Sequence, residues 1–186
     1  MGKHNNNTMQ LVCSLATLDS QVALKSLYMV YFDRLMRFVT CHVGSEPVAE
    51  EIVSDTFLAV WENRKSLLEV TNFDSYIFTI ARHKSISYFR ANQMIKVEID
   101  ETVTDLFFQT DTTPEEDFIS KETVNSLNNA INSLPDKCKM AFKLVREDKM
   151  KYKDAAQVLD ISVKTLEAHI TTAVKKIREA LSKELE

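Results

Sequence analysis

Glycine is nearly absent from this sequence: its 186 residues include only Gly2 and Gly44. Phosphate-binding loops need glycines clustered where backbone amides approach a ligand closely, and no such cluster occurs. All-β chains need many tight turns, for which glycine is a preferred residue. The scarcity of glycine therefore argues against P-loop enzymes, Rossmann enzymes and an all-β fold.

Motifs for metals and redox chemistry are also lacking. The three cysteines, Cys13, Cys41 and Cys138, form no CxxC pair, and the four histidines lack the spacing of a zinc site. We expect reduced thiols of a cytosolic protein, with no metal and no cofactor.

Long apolar segments are missing too. No run approaches the roughly 20 residues that a membrane-spanning helix requires, and the polar start lacks the apolar core of a signal peptide. We expect a cytoplasmic protein without direct membrane insertion, in which residues 1–19 form a mobile tail.

The net charge of −4 is distributed unevenly. Residues 20–92 hold 8 basic and 8 acidic side chains, residues 93–125 hold 2 and 9, and residues 126–186 hold 12 and 9. The acidity is thus concentrated in one segment, and the C-terminal end is mildly basic.

Apolar residues recur at helical spacing on both sides of that acidic segment. Three helices are expected, over about 20–42, from a cap at Ser45 to about Asn63, and from a cap at Asn72 to about Asn92. The fold predicted is all-α, with two small helical domains. They are a bundle over 20–92 and a domain over 121–186, joined by an acidic linker over 93–120.

The segment from Tyr152 to Ala180 is typical of a helix-turn-helix, although a helical hairpin with a solvated charged face is the alternative. Small Ala155 and Ala156 suit close helix packing, and Ser162 can cap the second helix. Early exposed residues of such a helix enter the major groove. The candidate DNA-binding residues are Lys164, Thr165, Glu167, Ala168, His169 and Thr172, with Lys175, Lys176 and Arg178 placed to meet phosphates.

Asp160 stands at the turn of this motif, where glycine is commonest. Aspartate tolerates a left-handed backbone better than most residues, so the substitution is expected to cost little.

A second candidate surface lies on the third predicted helix. Basic groups there could hold a phosphate backbone, and aromatic rings could stack on unpaired bases. The alternative is that the rings are core and the charges only solvate the helix. The residues are Arg82, His83, Lys84 and Arg90, with Tyr88 and Phe89.

Taken together, the chain resembles the extracytoplasmic-function sigma factors of the sigma-70 family. The similar runs are LYMVYFDRLMRF at 27–38, AEEIVSDTFLAVW at 49–61, YIFTIARHK at 76–84 and LPDKCKMAF at 134–142, followed by the helix-turn-helix. Each run is weak alone, but their order and spacing make the combination specific.

The resemblance implies a non-catalytic subunit that recognises promoter minus-ten and minus-thirty-five elements and promotes transcription initiation. Its implied partners are core RNA polymerase, promoter DNA and an anti-sigma factor, which is often membrane-anchored. It implies polymerase binding by Asp55, Phe57 and Trp61, minus-ten binding by Arg64, Lys65, Asn72, Arg82, Lys84 and Arg90, and minus-thirty-five reading by the second helix of the helix-turn-helix.

Two other classes of protein remain compatible with the residues alone. An ordinary helix-turn-helix regulator would dimerise and bind duplex DNA without polymerase. A helical interaction protein would lack promoter specificity. An enzyme fits least well, because no cluster of nucleophile, base and acid can be assembled from the sequence.

Overall fold

The computed structural model describes residues 2–96 and 126–183, and every regular element within these ranges is helical. The chain divides into two compact units. The first runs up to Lys96, and the second comprises the residues after it apart from Gln157–Asp160. The all-α fold with two helical domains is therefore confirmed. Most of the predicted acidic linker, 93–120, lies outside the described residues.

The first unit is a bundle of four α-helices and one short 3-10 helix. Ser20 caps the second α-helix by accepting a hydrogen bond from the Ala23 N–H at 3.2 Å. Gly44 ends that helix in the left-handed conformation, at φ 69°. The elements are α1 (Gly2–Leu18), α2 (Gln21–Val43), α3 (Glu46–Glu62), the 3-10 helix (Arg64–Glu69) and α4 (Phe73–Lys96).

The core of this bundle contains the apolar stripes that the sequence predicts. Leu27, Tyr31, Leu35 and Phe38 of α2 are buried, and the Phe38 ring meets Phe78 of α4 edge-on at 5.3 Å between centroids. α3 contributes Ile52, Val53, Thr56, Phe57 and Val60, all buried. The helix predictions for this part of the chain are thus confirmed to within a few residues.

Helix α1 corrects the prediction of a mobile tail. Residues 2–18 are helical, and Val12, Leu15 and Ala16 are buried against the bundle. Helix α1 packs against α2 and the 3-10 helix. The spacing of three and four residues from Val12 to Leu15 and Ala16 is that of an amphipathic helix, but the polar residues before Val12 conceal the pattern.

In residues 126–183 the second unit contains four α-helices and one turn of π-helix. Buried Ala130, Ile131 and Leu134 pack with Cys138 and with Ala173 and Ile177 of the last helix. Pro135 occupies the N-cap of the second helix of the unit. The elements are α5 (126–132), α6 (Asp136–Phe142), the π-helical turn (Lys143–Glu147), α7 (Tyr152–Leu159) and α8 (Val163–Lys183).

A search for membrane spans gives a negative result for the described ranges. None of the helices there is both long enough and apolar enough to cross a bilayer.

Candidate nucleic-acid interface

The connection between α7 and α8 has the local geometry of a helix-turn-helix. Asp160 is left-handed at φ 56°. Its N–H bonds to the Gln157 carbonyl at 3.1 Å, and the Ile161 N–H bonds to the Ala156 carbonyl at 3.0 Å. This pair of bonds is a Schellman motif, which closes a helix at a left-handed residue. Asp160 therefore takes the backbone conformation expected of it.

Helix α8 begins as the sequence predicts. The Ser162 hydroxyl accepts a hydrogen bond from the Thr165 N–H at 3.0 Å, so Ser162 is the N-cap. Leu166 and Ile170 are buried, whereas Ile161 in the turn is only half-buried. The buried stripe fixes which side of α8 faces outward.

Eight of the nine candidate residues on α8 are exposed. Lys164, Ala168 and Lys175 share the outer face opposite Leu166 and Ile170. Lys175 also lies 3.8 Å from Glu179, an exposed pair of little energetic value. The exposed residues are Lys164, Thr165, Glu167, Ala168, Thr172, Lys175, Lys176 and Arg178.

His169 is the exception among these residues. Its ring is half-buried, with Nδ1 3.7 Å from the Sγ of buried Cys138 on α6. A ring that packs against α6 is badly placed to read a base, so the structure argues against the DNA-reading role predicted for His169. No group of three or more His, Cys, Asp or Glu side chains in the described ranges could hold a metal ion.

Lysines at the start of α7 were missed by the sequence prediction. Lys149, Lys151 and Lys153 alternate just before and within the first turn of α7, and all three are exposed. The first helix of a helix-turn-helix crosses the DNA backbone, where basic groups and a helix N-terminus suit phosphates. The alternation of lysines was the available signal.

The 3-10 helix carries two of the residues predicted to bind the minus-ten element. Arg64 Nε donates a hydrogen bond to the Asp19 carboxylate, and Lys65 Nζ lies 2.9 Å from the same carboxylate. Hydrogen bonds from Lys65 and then Arg64 lower the pKa of Asp19, so this carboxylate stays charged at neutral pH. The side chain of Lys65 is 61% exposed, whereas that of Arg64 is only 24% exposed.

Arg64 is also held from the side of α3. Its Nη1 donates to the Trp61 carbonyl at 2.9 Å, and its guanidinium lies 4.3 Å from the centre of the Trp61 ring. These contacts account for the half-buried position of both side chains. Arg64 and Trp61, predicted for different partners, thus contact each other directly.

The remaining minus-ten candidates lie on or next to α4. Asn72 is half-buried and caps α4, since its Oδ1 accepts from the Ser75 N–H at 3.3 Å. Arg82 and Lys84 are partly buried, and Arg90 is exposed. The Phe89 ring is 38% exposed beside half-buried Tyr88, so at least one ring of this pair is available for stacking on a base.

The candidate polymerase residues on α3 separate into core and surface. Phe57 is 5% exposed and its ring lies 4.8 Å from that of Tyr28, so the structure corrects its assignment as a surface residue. Asp55 is exposed, 3.4 Å from Lys84. The same outer side carries Glu51, Glu62 and Leu58, which is 54% exposed. These four residues form the exposed side of α3.

A partly buried ion pair fixes the relative position of α2 and α4. Arg34 Nη1 lies 2.9 Å from Asp74 Oδ1, and its guanidinium lies 5.0 Å from the ring centre of Tyr31. Burial, with a contribution from the Asp74 carboxylate, raises the pKa of the Tyr31 phenol well above its usual range. Tyr31 therefore remains a neutral hydrogen-bonding group.

Comparison with known families matches both units. The family described as Sigma-70 region 2 matches residues 27–94, and the family described as Sigma-70, region 4 matches residues 125–177. These matches span well over half of the 186 residues. They coincide with the bundle of α2 to α4 and with the domain that contains the helix-turn-helix.

Several proteins of known class are similar to the chain over most of its length. The ferric citrate uptake sigma factor FecI of Escherichia coli is 27% identical over 160 residues, which are 86% of this chain and 91% of FecI. The ECF RNA polymerase sigma factor SigM of Bacillus subtilis is 22% identical, covering 86% of this chain and 93% of SigM.

Similarity of fold points the same way. The sigma factor RpoE, solved in complex with the anti-sigma factor NepR from Bartonella quintana, has a TM-score of 0.67 at 20% identity. That match covers 85% of this chain and 96% of the other. With both region models in order along one chain, the protein belongs to the extracytoplasmic-function group of the sigma-70 family.

Proposed function

We propose that this chain binds core RNA polymerase, recognises promoter minus-ten and minus-thirty-five elements and promotes transcription initiation. The observation that carries the proposal is the order of its two units, a region 2 bundle followed by a region 4 helix-turn-helix. An ordinary regulator would need the second unit alone. The chain makes and breaks no bond; it recruits the polymerase and captures separated DNA, acting in the cytoplasm where both partners are found.

The outer side of α3 is the proposed polymerase contact. Glu51, Asp55 and Leu58 recur at intervals of three and four residues on its exposed side. One exposed leucine flanked by carboxylates suits a partner surface with an apolar site and surrounding basic groups. Phe57 and Trp61 support this side from within rather than contact the partner.

The minus-ten surface is proposed to combine the 3-10 helix with the outer side of α4. Lys65 and Arg90 are exposed cations, and Phe89 offers a ring face for an unpaired base. Arg82 and Lys84 would add charge along α4. Residues 64–72 form the proposed minus-ten loop, and Asn72 would act by fixing the start of α4 at its end, because the Asn72 side chain caps that helix.

The outer face of α8 is proposed to read the minus-thirty-five element. Lys164, Thr165 and Ala168 lie in its first two turns, where a recognition helix contacts base edges. Lys151 and Lys153 at the start of α7 would contact phosphates, as would Lys175, Lys176 and Arg178 further along α8.

An anti-sigma protein is the proposed regulator of this chain. Support comes from the RpoE structure of similar fold, which was solved with an anti-sigma factor bound. Such a partner would compete with polymerase for the exposed side of α3. A membrane-anchored anti-sigma factor would couple the chain to an external signal.

Co-elution with sigma-free core RNA polymerase at physiological salt is the experiment that tests this function. We expect a stable one-to-one complex that selects specific promoters from a random duplex pool. The double variant Asp55→Ala and Leu58→Ala should weaken the complex, whereas Asp33→Ala, on the exposed side of α2, should not. Specific duplex binding by the chain alone, without any polymerase complex, would instead indicate an ordinary regulator.

A further inference from the structure

The junction between α1 and α2 is linked directly to the start of the 3-10 helix. Asp19, at that junction, is left-handed at φ 52°. Its Oδ2 accepts a hydrogen bond from Lys65 Nζ at 3.0 Å, and its Oδ1 accepts one from Arg64 Nε. One carboxylate therefore contacts both basic residues with which the proposed minus-ten loop, 64–72, begins.

We propose that Asp19 is a positioning residue for this loop, one that restricts the charges of Arg64 and Lys65 and so increases discrimination between minus-ten sequences. The proposal rests on the minus-ten role of the loop given above. It concerns a residue that precedes the region 2 match, which begins at residue 27.

The contacts of Arg64 support this role. Asp19, the Trp61 carbonyl and the Trp61 ring hold the Arg64 guanidinium on three sides. Because bonding and stacking fix a planar guanidinium in one orientation, the backbone at the start of the loop is held as well. The 3-10 helix is then already shaped when DNA reaches it, and buried Leu67 anchors its far side.

Lys65 has a different consequence. Its side chain is 61% exposed, so it can reach a phosphate, but only by leaving the Asp19 carboxylate. Any phosphate attracts a lysine regardless of sequence. A neighbouring carboxylate reduces that general attraction, on which incorrect DNA depends entirely, whereas correct DNA also gains base contacts that need the loop shape held by Asp19. Asp19 thus weakens binding to incorrect DNA more than binding to correct DNA.

The test compares single-stranded oligonucleotides bound by the reconstituted holoenzyme. One carries the minus-ten strand of a promoter selected by the wild-type holoenzyme, and the other carries the same bases scrambled. Asp19→Asn removes the charge while keeping a side chain that tolerates the left-handed backbone. We expect the ratio of the two affinities to fall by roughly twofold to fivefold, mainly through tighter binding of scrambled DNA.

Two further variants keep the test decisive. Asp33→Asn makes the same change of charge on the exposed side of α2 and should leave the ratio unaltered. Adding Lys65→Met to Asp19→Asn should return the affinity for scrambled DNA close to its wild-type value, because the released cation is gone. If the double variant still binds scrambled DNA tightly, the proposal is wrong.

Other outcomes separate this proposal from the function on which it rests. If the wild-type holoenzyme does not distinguish the two oligonucleotides, the minus-ten role of the loop fails, and the proposal with it. If the wild type distinguishes them and Asp19→Asn does so equally well, only the role of Asp19 is overturned. Weaker core binding and a lower melting temperature, with an unchanged ratio, would mean that Asp19 is purely structural.

Discussion

The two units place many of their candidate cations in different environments. In the N-terminal bundle Arg64, Lys65 and Lys84 lie next to carboxylates, whereas in the helix-turn-helix region most candidate cations extend into solvent. The bundle pairs are Arg34 with Asp74, Arg64 and Lys65 with Asp19, and Lys84 with Asp55. The exposed cations of the second region are Lys151, Lys153, Lys164, Lys176 and Arg178.

This difference follows the net charges of the two segments and suggests two ways of meeting DNA. Residues 20–92 carry as many acidic as basic groups, 8 of each, whereas residues 126–186 carry 12 basic and 9 acidic groups. Cations that are paired with carboxylates attract phosphates only weakly. We therefore expect the bundle surface to bind DNA through its shape and through contacts with bases, once the polymerase has brought it to the promoter. Exposed cations suit a surface that meets intact duplex through its phosphates.

The largest expected effect comes from breaking the most enclosed of the bundle pairs. Arg34→Ala leaves the Asp74 carboxylate without its partner at 2.9 Å and removes the cation beside the Tyr31 ring. We expect the free energy of unfolding of the bundle to fall by about 2–3 kcal/mol, because a partly buried charge loses its compensation. Urea denaturation followed by circular dichroism measures this loss.

Lys84→Ala is the matched control for that measurement. Its pair with Asp55 is longer, at 3.4 Å, and the Asp55 side chain is 57% exposed. Exposed ion pairs contribute between about 0 and 1 kcal/mol, so little stability should be lost. Equal losses for the two variants would mean that the bundle pairs do not differ in their structural role.

The next effect concerns the outer face of α8. Lys164 lies in its first turn and Lys176 lies three turns later, and each is exposed. We expect Lys164→Ala to weaken holoenzyme binding by about 1–3 kcal/mol at some promoters and hardly at others. Lys176→Ala should weaken holoenzyme binding only slightly, and by nearly the same amount at every promoter. Binding titrations across a promoter panel measure the pattern, and equal patterns would refute the recognition-helix assignment.

A smaller effect is expected from the lysines at the start of α7. Replacing Lys151 and Lys153 by alanine should make binding to a minus-thirty-five duplex less sensitive to salt. The slope of log K against log salt concentration should decrease by about 0.9 for each lysine that contacts a phosphate. Lys84→Ala should leave this slope unaltered. A change with Lys84 and none with the α7 lysines would reverse the comparison of the two regions.

Much of the fold could be predicted because its helices carry regular stripes and recognisable caps. Asn72 and Ser162, two of the predicted caps, each accept a backbone N–H at the start of their helices, whereas Ser45 stands at the N-cap of α3 without a side-chain hydrogen bond. Helix α1 was missed because the run of asparagines before Val12 and Leu15 hides a short amphipathic pattern. Its burial depends on the rest of the bundle, which local pattern does not reveal.

The site was less predictable because periodicity gives the face of a side chain but not its partner. Phe57 and His169 were assigned to surfaces, yet Phe57 packs on Tyr28 and His169 on Cys138. Arg64 meets Asp19 across 45 residues of sequence, a separation that no local pattern encodes. The exposed lysines of α8 were predicted better, because exposure requires no partner.

The smallest expected effect compares two left-handed helix ends, Gly44 after α2 and Asp160 after α7. A Cβ at Gly44 would meet no atom within 4 Å, so Gly44→Ala should cost only the backbone penalty, about 1 kcal/mol. Asp160→Gly removes a backbone strain that aspartate tolerates, but it also increases the conformational entropy of the unfolded chain. Because these two effects oppose each other, the free energy of unfolding should change by less than about 0.5 kcal/mol. Urea midpoints of the two variants measure the difference. A loss of more than about 1 kcal/mol in Asp160→Gly would mean that the carboxylate stabilises the motif beyond its tolerance of the turn.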